Sequence, residues 1–251
     1  DRQMKGKGLN RDVIKYIAMF TMLLNHIANI FLTPGTPLFT LLVDIGYFTA
    51  PVMCYFLVEG YHYTHSKKRY AGRLAIFALL SEIPFCLAFS EAYTGERIIS
   101  FCGFNMIFTL LLCFGILYVR ENVRDGILAG VLIAVLFLIS LFSDWALAAP
   151  LFTLLFASAG GDKRKVWNAF LIGAAVFAFL SFSPGVSAAQ TMQSLIDAVL
   201  SAAGILAAGI TVVCFYNEKR MERGRTFSKW FFYLFYPVHL LILGIIRIFF
   251  V

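Results

Sequence analysis

The stretch RDVIKYIAMFTMLLNHIANIFL, residues 11–32, decides the fold. It is apolar for about the 20 residues a helix needs to cross the hydrocarbon of a bilayer. Its cations, Arg11 and Lys15, stand at its start, and one histidine, His26, lies deep inside it. Working outward from residues 13–32, eight further apolar stretches follow, at 38–61, 74–89, 98–119, 126–142, 145–159, 166–182, 194–215 and 230–250. Lipid offers no partner for free backbone groups, so each is expected to be helical. Several fall short of a full crossing, which an untilted helix or a thinned bilayer accommodates. The stretches 126–142 and 145–159, parted only by Ser143 and Asp144, read as a tight helical hairpin or as one broken segment. The charge pattern favours the hairpin.

That pattern is one-sided. Of the 21 Lys and Arg residues, all but Arg97 and Arg247 lie in alternate gaps between the apolar stretches. The basic gaps hold Arg2, Lys5, Lys7, Arg11 and Lys15; Lys67, Lys68, Arg69 and Arg73; Arg120 and Arg124; Lys163, Arg164 and Lys165; and Lys219, Arg220, Arg223, Arg225 and Lys229. Loop cations stay on the cytoplasmic side because carrying them across during insertion is costly. The expectation is an all-α, polytopic membrane helix bundle of about nine transmembrane helices. Its N-terminus is cytoplasmic and its C-terminus outside, in a bacterial cytoplasmic membrane. Residues 1–12 read as a cytoplasmic N-terminal segment and 13–251 as a single transmembrane domain.

Composition agrees: the chain is 60% hydrophobic and 14% charged, more apolar than a soluble domain can solvate. The net charge of +7 is spread over five short loops, which points to membrane lipids and topogenic anchoring rather than to nucleic acid. The first apolar stretch is long enough to be a span rather than a cleaved signal peptide. Cys54, Cys86, Cys102, Cys113 and Cys214 lie in apolar stretches without a C-x-x-C, so neither a disulfide framework nor a zinc site is expected. No internal repeat stands out. Residues 186–190, small and polar, read as an outer loop. The loops are too short for a soluble catalytic domain, so any chemistry belongs to the bundle.

Ionisable groups inside spans are costly and are functional candidates by default. They are His26, Asp44, Glu59, Glu82 and His239, with Asn25, Asn29 and Asn105 as uncharged companions. His26 follows Lys15 by eleven residues, about three turns and about 16 Å of helix, so the two share a face. A neutral imidazole takes a proton from an amine or hydroxyl near neutral pH, or acts as a nucleophile. A cation three turns away suits the phosphates of an anionic donor. The alternative is a packing histidine and a snorkelling lysine. Glu59, His62 and His65 recur every three residues at a helix end, more a polar terminus than a metal site, and Glu59 is placed to pair with Arg73 or to orient another group. Glu82 sits in SEIPF (residues 81–85), where Pro84 frees the Leu80 carbonyl. His239 follows Pro237 in YPVHLLIL (residues 236–243) and either answers the polar spot left at Tyr233 or faces the cavity of His26. Asp44 is nearer the outer face. The segments carrying Lys67 to Arg73 and Lys219 to Arg225 are the largest cationic surfaces on the expected cytoplasmic side, and natural landing points for phosphates.

The stretches IKYIAMFTMLLNHIANIF (14–31), APVMCYFLVEGYHYTHSKKRYAGRL (50–74), SEIPF (81–85), NMIFTL (105–110) and KWFFYLFYPVHLLIL (229–243) together resemble the TraX family, named for a conjugation protein implicated in acetylating the pilin N-terminus. The middle, roughly 111–216, shares little beyond hydrophobicity. TraX is similar in turn to the wider acyltransferase-3 group, whose first helix carries an arginine, ten residues and a catalytic histidine. Lys15 and His26 stand at that spacing, with Lys for Arg. Asn25 stands where many relatives have Asp, and Gly46-Tyr47 where Gly-Arg is expected.

What the resemblance implies is an acetyl-CoA-dependent acetyltransferase with no metal. His26 is then the base or acyl carrier, and Glu59, Glu82 and His239 support it. Lys15, Arg69, Arg73, Arg220, Arg223 and Arg225 hold the coenzyme A thioester. Asn25, Asp44, Asn105 and Tyr236 meet the acceptor, a protein, lipid or glycan of the envelope. The competing expectations are a small-molecule or proton-coupled transporter, since intramembrane Glu and His also serve relays, and a non-enzymatic pilus or envelope assembly factor.

Overall fold

A computed structural model describes residues 8–250. Ten α-helices follow one another: α1 (Arg11–Phe31), α2 (Pro37–Gly46), α3 (Thr49–Tyr63), α4 (Lys67–Thr94), α5 (Met106–Asn122), α6 (Gly126–Ser140), α7 (Ala148–Ala159), α8 (Lys163–Ser181), α9 (Ala188–Ile210) and α10 (Arg225–Phe250). A π-helical turn, Thr211–Phe215, prolongs α9. Among the described residues, six helical segments are long and apolar enough to cross a membrane, with Gly126–Ser140 and Ala148–Ala159 as shorter apolar helices. Large apolar side chains stand on the outside of these helices, among them Ile127 (84% exposed), Leu79 (77%) and Phe179 (76%). Such a surface needs lipid around it. The chain is therefore an all-α membrane protein.

The helix boundaries depart from the hydropathy pattern in several places, α4 running well past the expected 74–89 at both ends, and four of the departures have a local cause. The expected span 38–61 is two helices, because Pro51 has no N–H to return to the Tyr47 carbonyl. The expected span 98–119 begins its helix only at Met106. Asn105 caps it, accepting from the N–H groups of Ile107 (3.0 Å) and Phe108 (3.3 Å), and Gly103 at φ +106° turns the chain into it. The turn between α6 and α7 holds Trp145 and Leu147 at positive φ, so α7 starts three residues later than expected and spans 12. Residues 186–190 are not an outer loop throughout. Ser187 and Gln190 form a reciprocal capping box, and α9 starts at Ala188.

The chain forms two compact units. The first runs through Ala28, then Leu32–Met53 and Ala159–Arg225; the second holds Asn29–Phe31, Cys54–Ser158 and the chain from Thr226 onward. In the first unit α9 packs on α8 and α2. Glycines make this close approach possible: a Cβ on Gly204 would stand 2.2 Å from the Asp44 carbonyl oxygen, and one on Gly209 would press on Phe170. The core here is Ile14, Ala18, Phe170, Ile205 and Ala208, all fully buried. In the second unit α5 packs on α4 and α6, around Cys54, Phe56, Phe85, Phe152 and Ile116.

The basic loop after α9 is tied to the start of α1. Leu9 N–H donates to the Phe215 carbonyl (2.9 Å) and Asn217 N–H to the Leu9 carbonyl (3.0 Å). Arg11 N–H donates to the Lys219 carbonyl (2.9 Å), and Asp12 accepts from the Met221 N–H at 2.8 Å. Arg2, Lys5 and Lys7 lie outside the described residues.

Candidate active site

In the first unit α1 carries His26, Asn25 and Lys15. Asn10 opens the helix by accepting from the Val13 N–H at 2.9 Å. Lys15 is half-buried one turn inside, and His26 is 6% exposed farther along. The loop contacts at Leu9, Arg11 and Asp12 place Arg220, Arg223 and Arg225 at the end of α1 where Lys15 stands. Arg220 and Arg223 are exposed, while Arg225 Nε donates to the Met221 carbonyl at 2.7 Å and braces the loop. Asn25 holds α2: its Nδ2 donates to the Val43 carbonyl at 3.0 Å, and its Cβ fills the space a Cβ on Gly46 would take. Thr21 and Thr49 both donate to the Ala18 carbonyl, at 2.9 and 2.8 Å, which seats the start of α3 beside α1. Asp44 is half-buried on α2 with Asp197 of α9 as its charged neighbour.

In the second unit the structure brings together Glu82, Asn105, Tyr236 and His239. Glu82 Oε2 accepts from Asn105 twice, from Nδ2 at 2.7 Å and from the backbone N–H at 3.3 Å. Asn105 is wholly buried, and its Nδ2 also donates to the Ala78 carbonyl at 2.8 Å. The Tyr236 hydroxyl accepts from the Met106 N–H at 3.1 Å. One turn on, the rings of Tyr236 and His239 meet edge to face at 5.7 Å. His239 Nδ1 is 2.7 Å from the Phe235 carbonyl oxygen, which only accepts. Nδ1 therefore carries a proton and donates it to that carbonyl. His239 answers the Phe235 carbonyl, one helical turn back, rather than the Tyr233 carbonyl that Pro237 leaves unbonded.

Glu59 is half-buried on α3, and His62 and His65 are exposed at its end. Arg73 Nε donates to the Tyr233 hydroxyl at 3.4 Å and lies over the rings of Tyr70 and Tyr233. Arg69 is exposed. Beside them Glu121, which the sequence did not single out, gathers two partners. It forms an ion pair with Lys67 and accepts from the Tyr61 hydroxyl at 2.5 Å. The Lys67 and Tyr61 hydrogen bonds hold its carboxyl below the usual range.

A second residue the sequence undervalued is Asp144. The α6–α7 turn docks on the start of α5: Phe104 N–H donates to the Phe142 carbonyl and Asp144 N–H to the Phe104 carbonyl, each at 2.8 Å. The Thr109 hydroxyl donates to the Asp144 carbonyl at 2.6 Å. This puts the Asp144 carboxyl within electrostatic reach of Tyr236. A polar Ser-Asp pair between two short apolar helices was the available signal. Burial pushes the Asp144 carboxyl up to about 6, with the Trp145 N–H acting in the opposite sense. A raised carboxyl pKa favours the protonated folded chain. That contribution is whole below the ordinary value of 3.8 and is lost as pH rises through about 6. Asp144→Asn, which mimics the protonated group, is expected to melt above wild type at about pH 7.5, by at most ~3 kcal/mol, with the gap closing toward about pH 4. Thermal melts in detergent across that range check it, and a gap independent of pH contradicts it.

The fold and the polar groups within it define a polytopic, all-helical membrane protein with two polar centres set among apolar helices. Its sequence matches the TraX protein family over residues 10–247, and the chain belongs to that family. It is 30% identical over 233 residues to a protein of Dichelobacter nodosus named "Probable fimbrial assembly protein FimC, serogroup H1", covering 92% of each chain. No solved structure matches.

Proposed function

We propose that the chain is an integral membrane acetyltransferase of the bacterial cytoplasmic membrane, taking its acetyl group from cytosolic acetyl-CoA. One observation carries this reading: a buried imidazole, His26, stands on α1 about three turns from a cationic mouth built by Lys15 and the loop tied to the start of that helix. The phosphates of coenzyme A fit the charge and exposure of Lys15, Arg220 and Arg223, with Arg69 and Arg73 as further cations. His26 takes the proton of an acceptor amine or hydroxyl as that group attacks the thioester carbonyl. The carbonyl carbon–sulfur bond breaks, and coenzyme A leaves as thiolate and gains a proton. Asn25 and Asp44 are the polar lining for the acceptor in the first unit; in the second, Glu82, His239, Asn105 and Tyr236, with Glu59, are a polar centre of their own that the resemblance assigns to supporting the transfer. The acceptor is an envelope component, and the fimbrial name of the relative favours a pilus subunit. Lys15 and His26 stand at the spacing of the arginine and histidine of the acyltransferase-3 group, with Lys in place of Arg, and this resemblance supports the reading.

The direct test is release of coenzyme A thiol by the purified protein, with mass spectrometry of envelope proteins, lipids and glycans from cells with and without it. Wild type is expected to release thiol and add an acetyl group to one acceptor. Lys15→Ala is expected to weaken acetyl-CoA binding more than Arg73→Ala does. The wild-type affinity should fall as salt rises, because the contacts are ionic and near the surface. Binding indifferent to both would move the donor elsewhere. The one-sided cations support a cytoplasmic N-terminus and an outer C-terminus. A C-terminal tag reached only from inside the cell would refute that topology.

A second reading, a non-enzymatic factor in pilus assembly, is favoured by the relative's printed name. A protein that releases no thiol yet is needed for piliation would establish it. Substrate flux in proteoliposomes would single out the transporter expectation.

A further inference from the structure

Two thiols meet where residues 100–105 run back along α4. Contacts on either side set the register. At one end Ser100 N–H donates to Ser90 Oγ at 2.9 Å, and Ser90 Oγ donates to the Ser100 carbonyl at 3.2 Å. At the other end Asn105 binds Glu82 through its N–H and its amide. Cys86 lies on α4 one turn from Ser90 and one turn from Glu82. Cys102 lies on the segment between Ser100 and Asn105. A helical turn rises about 5.4 Å and two extended residues cover about 6.6 Å, so the register sets Cys102 opposite Cys86. The two thiols are electrostatic neighbours, and the Cys86 thiol donates to Glu82 Oε1 at 3.8 Å. Cys102 is half-buried and Cys86 buried behind it, both as free thiols.

We propose that Cys86 and Cys102 form a redox site, a thiol pair that a disulfide-bearing oxidant closes into a disulfide joining α4 to the 100–105 segment. Cys102, the more accessible, loses its proton and attacks one sulfur of the oxidant's disulfide, expelling a thiolate. Cys86 then loses its proton and attacks the Cys102 sulfur of the mixed disulfide, expelling the second thiolate. The two protons end on the two released thiols, and the oxidant is reduced by two electrons. The closed form covalently fixes the segment that brings Asn105 to Glu82. The other neighbouring pair, Cys54 and Cys113, is wholly buried in the core of the same unit, where no oxidant reaches. The compartment rests on the proposed topology, which sets this segment on the outer, oxidising face; the pairing itself does not.

The full chain, purified in detergent, is incubated to equilibrium with oxidised glutathione or with dithiothreitol, then denatured, alkylated and digested for mass spectrometry. The oxidised sample is expected to lose Cys86 and Cys102 from the alkylated pool in equal amounts. A joined peptide pair lacking two hydrogens should replace them, while Cys54 and Cys113 stay alkylated. Dithiothreitol should restore both, and Cys86→Ser or Cys102→Ser should each abolish the joined pair. His26→Ala should form the joined pair as wild type does, so loss of the acetyl-transfer reading leaves this one standing. Cys86 alkylated in full after oxidation, or Cys102 held as a lasting mixed disulfide with glutathione, would overturn the proposal.

Discussion

His26→Ala is expected to abolish acetyl transfer while leaving a folded protein that binds acetyl-CoA. One polar side chain in a helix bundle rarely decides stability, and His26 sits about three turns from the cations proposed to hold the phosphates. A general base contributes typically about 10²–10⁴-fold, so turnover should fall by more than about a hundredfold. Wild-type activity should also fall as pH drops through the range where an imidazole takes a proton, since only the neutral ring accepts one. Stopped thiol-release assays with a binding control separate chemistry from donor affinity. Turnover within about threefold of wild type would move the base elsewhere, with His239 next in line.

The largest expected effect on stability comes from Arg247→Met. Arg247 is 4% exposed near the end of α10, and five hydrogen bonds spread from its guanidinium. Nε and Nη2 donate to the Leu87 carbonyl at 3.2 and 2.8 Å, and Nη2 to the Ile98 carbonyl at 2.9 Å. Nη1 donates to the Arg97 carbonyl and to Glu91, each at 2.9 Å. Nearby, Gly244 lets α10 close on α4, since a Cβ there would stand 3.0 Å from Leu87 Cγ. Methionine fills the volume but leaves those carbonyls without their donor, at a cost of about 3–5 kcal/mol. Arg247→Lys should recover only part of this, because an ammonium cannot match the planar fork. Glu91→Gln should cost under about 1 kcal/mol, because that end of the pair is half exposed. Melting curves of the three variants in one detergent test the ranking, and Arg247→Met melting with wild type would refute it.

Arg247 also shows why the sequence was legible only in part. In the charge pattern it was one of two cations on the wrong side of the membrane, and its meaning lay in contacts about 150 residues away. The apolar stretches were legible because a bilayer imposes length and composition on each helix separately. The ends of helices were less so. At Asn105 and Ser187 a single side chain capping backbone N–H groups outweighs the hydropathy of its surroundings. The candidate residues could be listed because intramembrane polar groups are rare. Their grouping could not, since Asn105 reaches Glu82 across 23 residues and Met106 reaches Tyr236 across 130. Asn25 illustrates the remaining gap: chosen for its place beside His26, it holds the Val43 carbonyl of the neighbouring helix.

The tie between the start of α1 and the loop after α9 has a consequence for biosynthesis. Asp12 and Met221 are 209 residues apart. During translation α1 enters the membrane while the segment that will hold its start has yet to be made. Until residues 215–221 leave the ribosome, the N–H of Arg11 and the carbonyl of Leu9 have only water or lipid headgroups to bond. Contacts so distant in sequence close slowly and late. A chain stalled or cut in its last third would leave the first helix inserted but unlatched, and open to quality-control proteolysis.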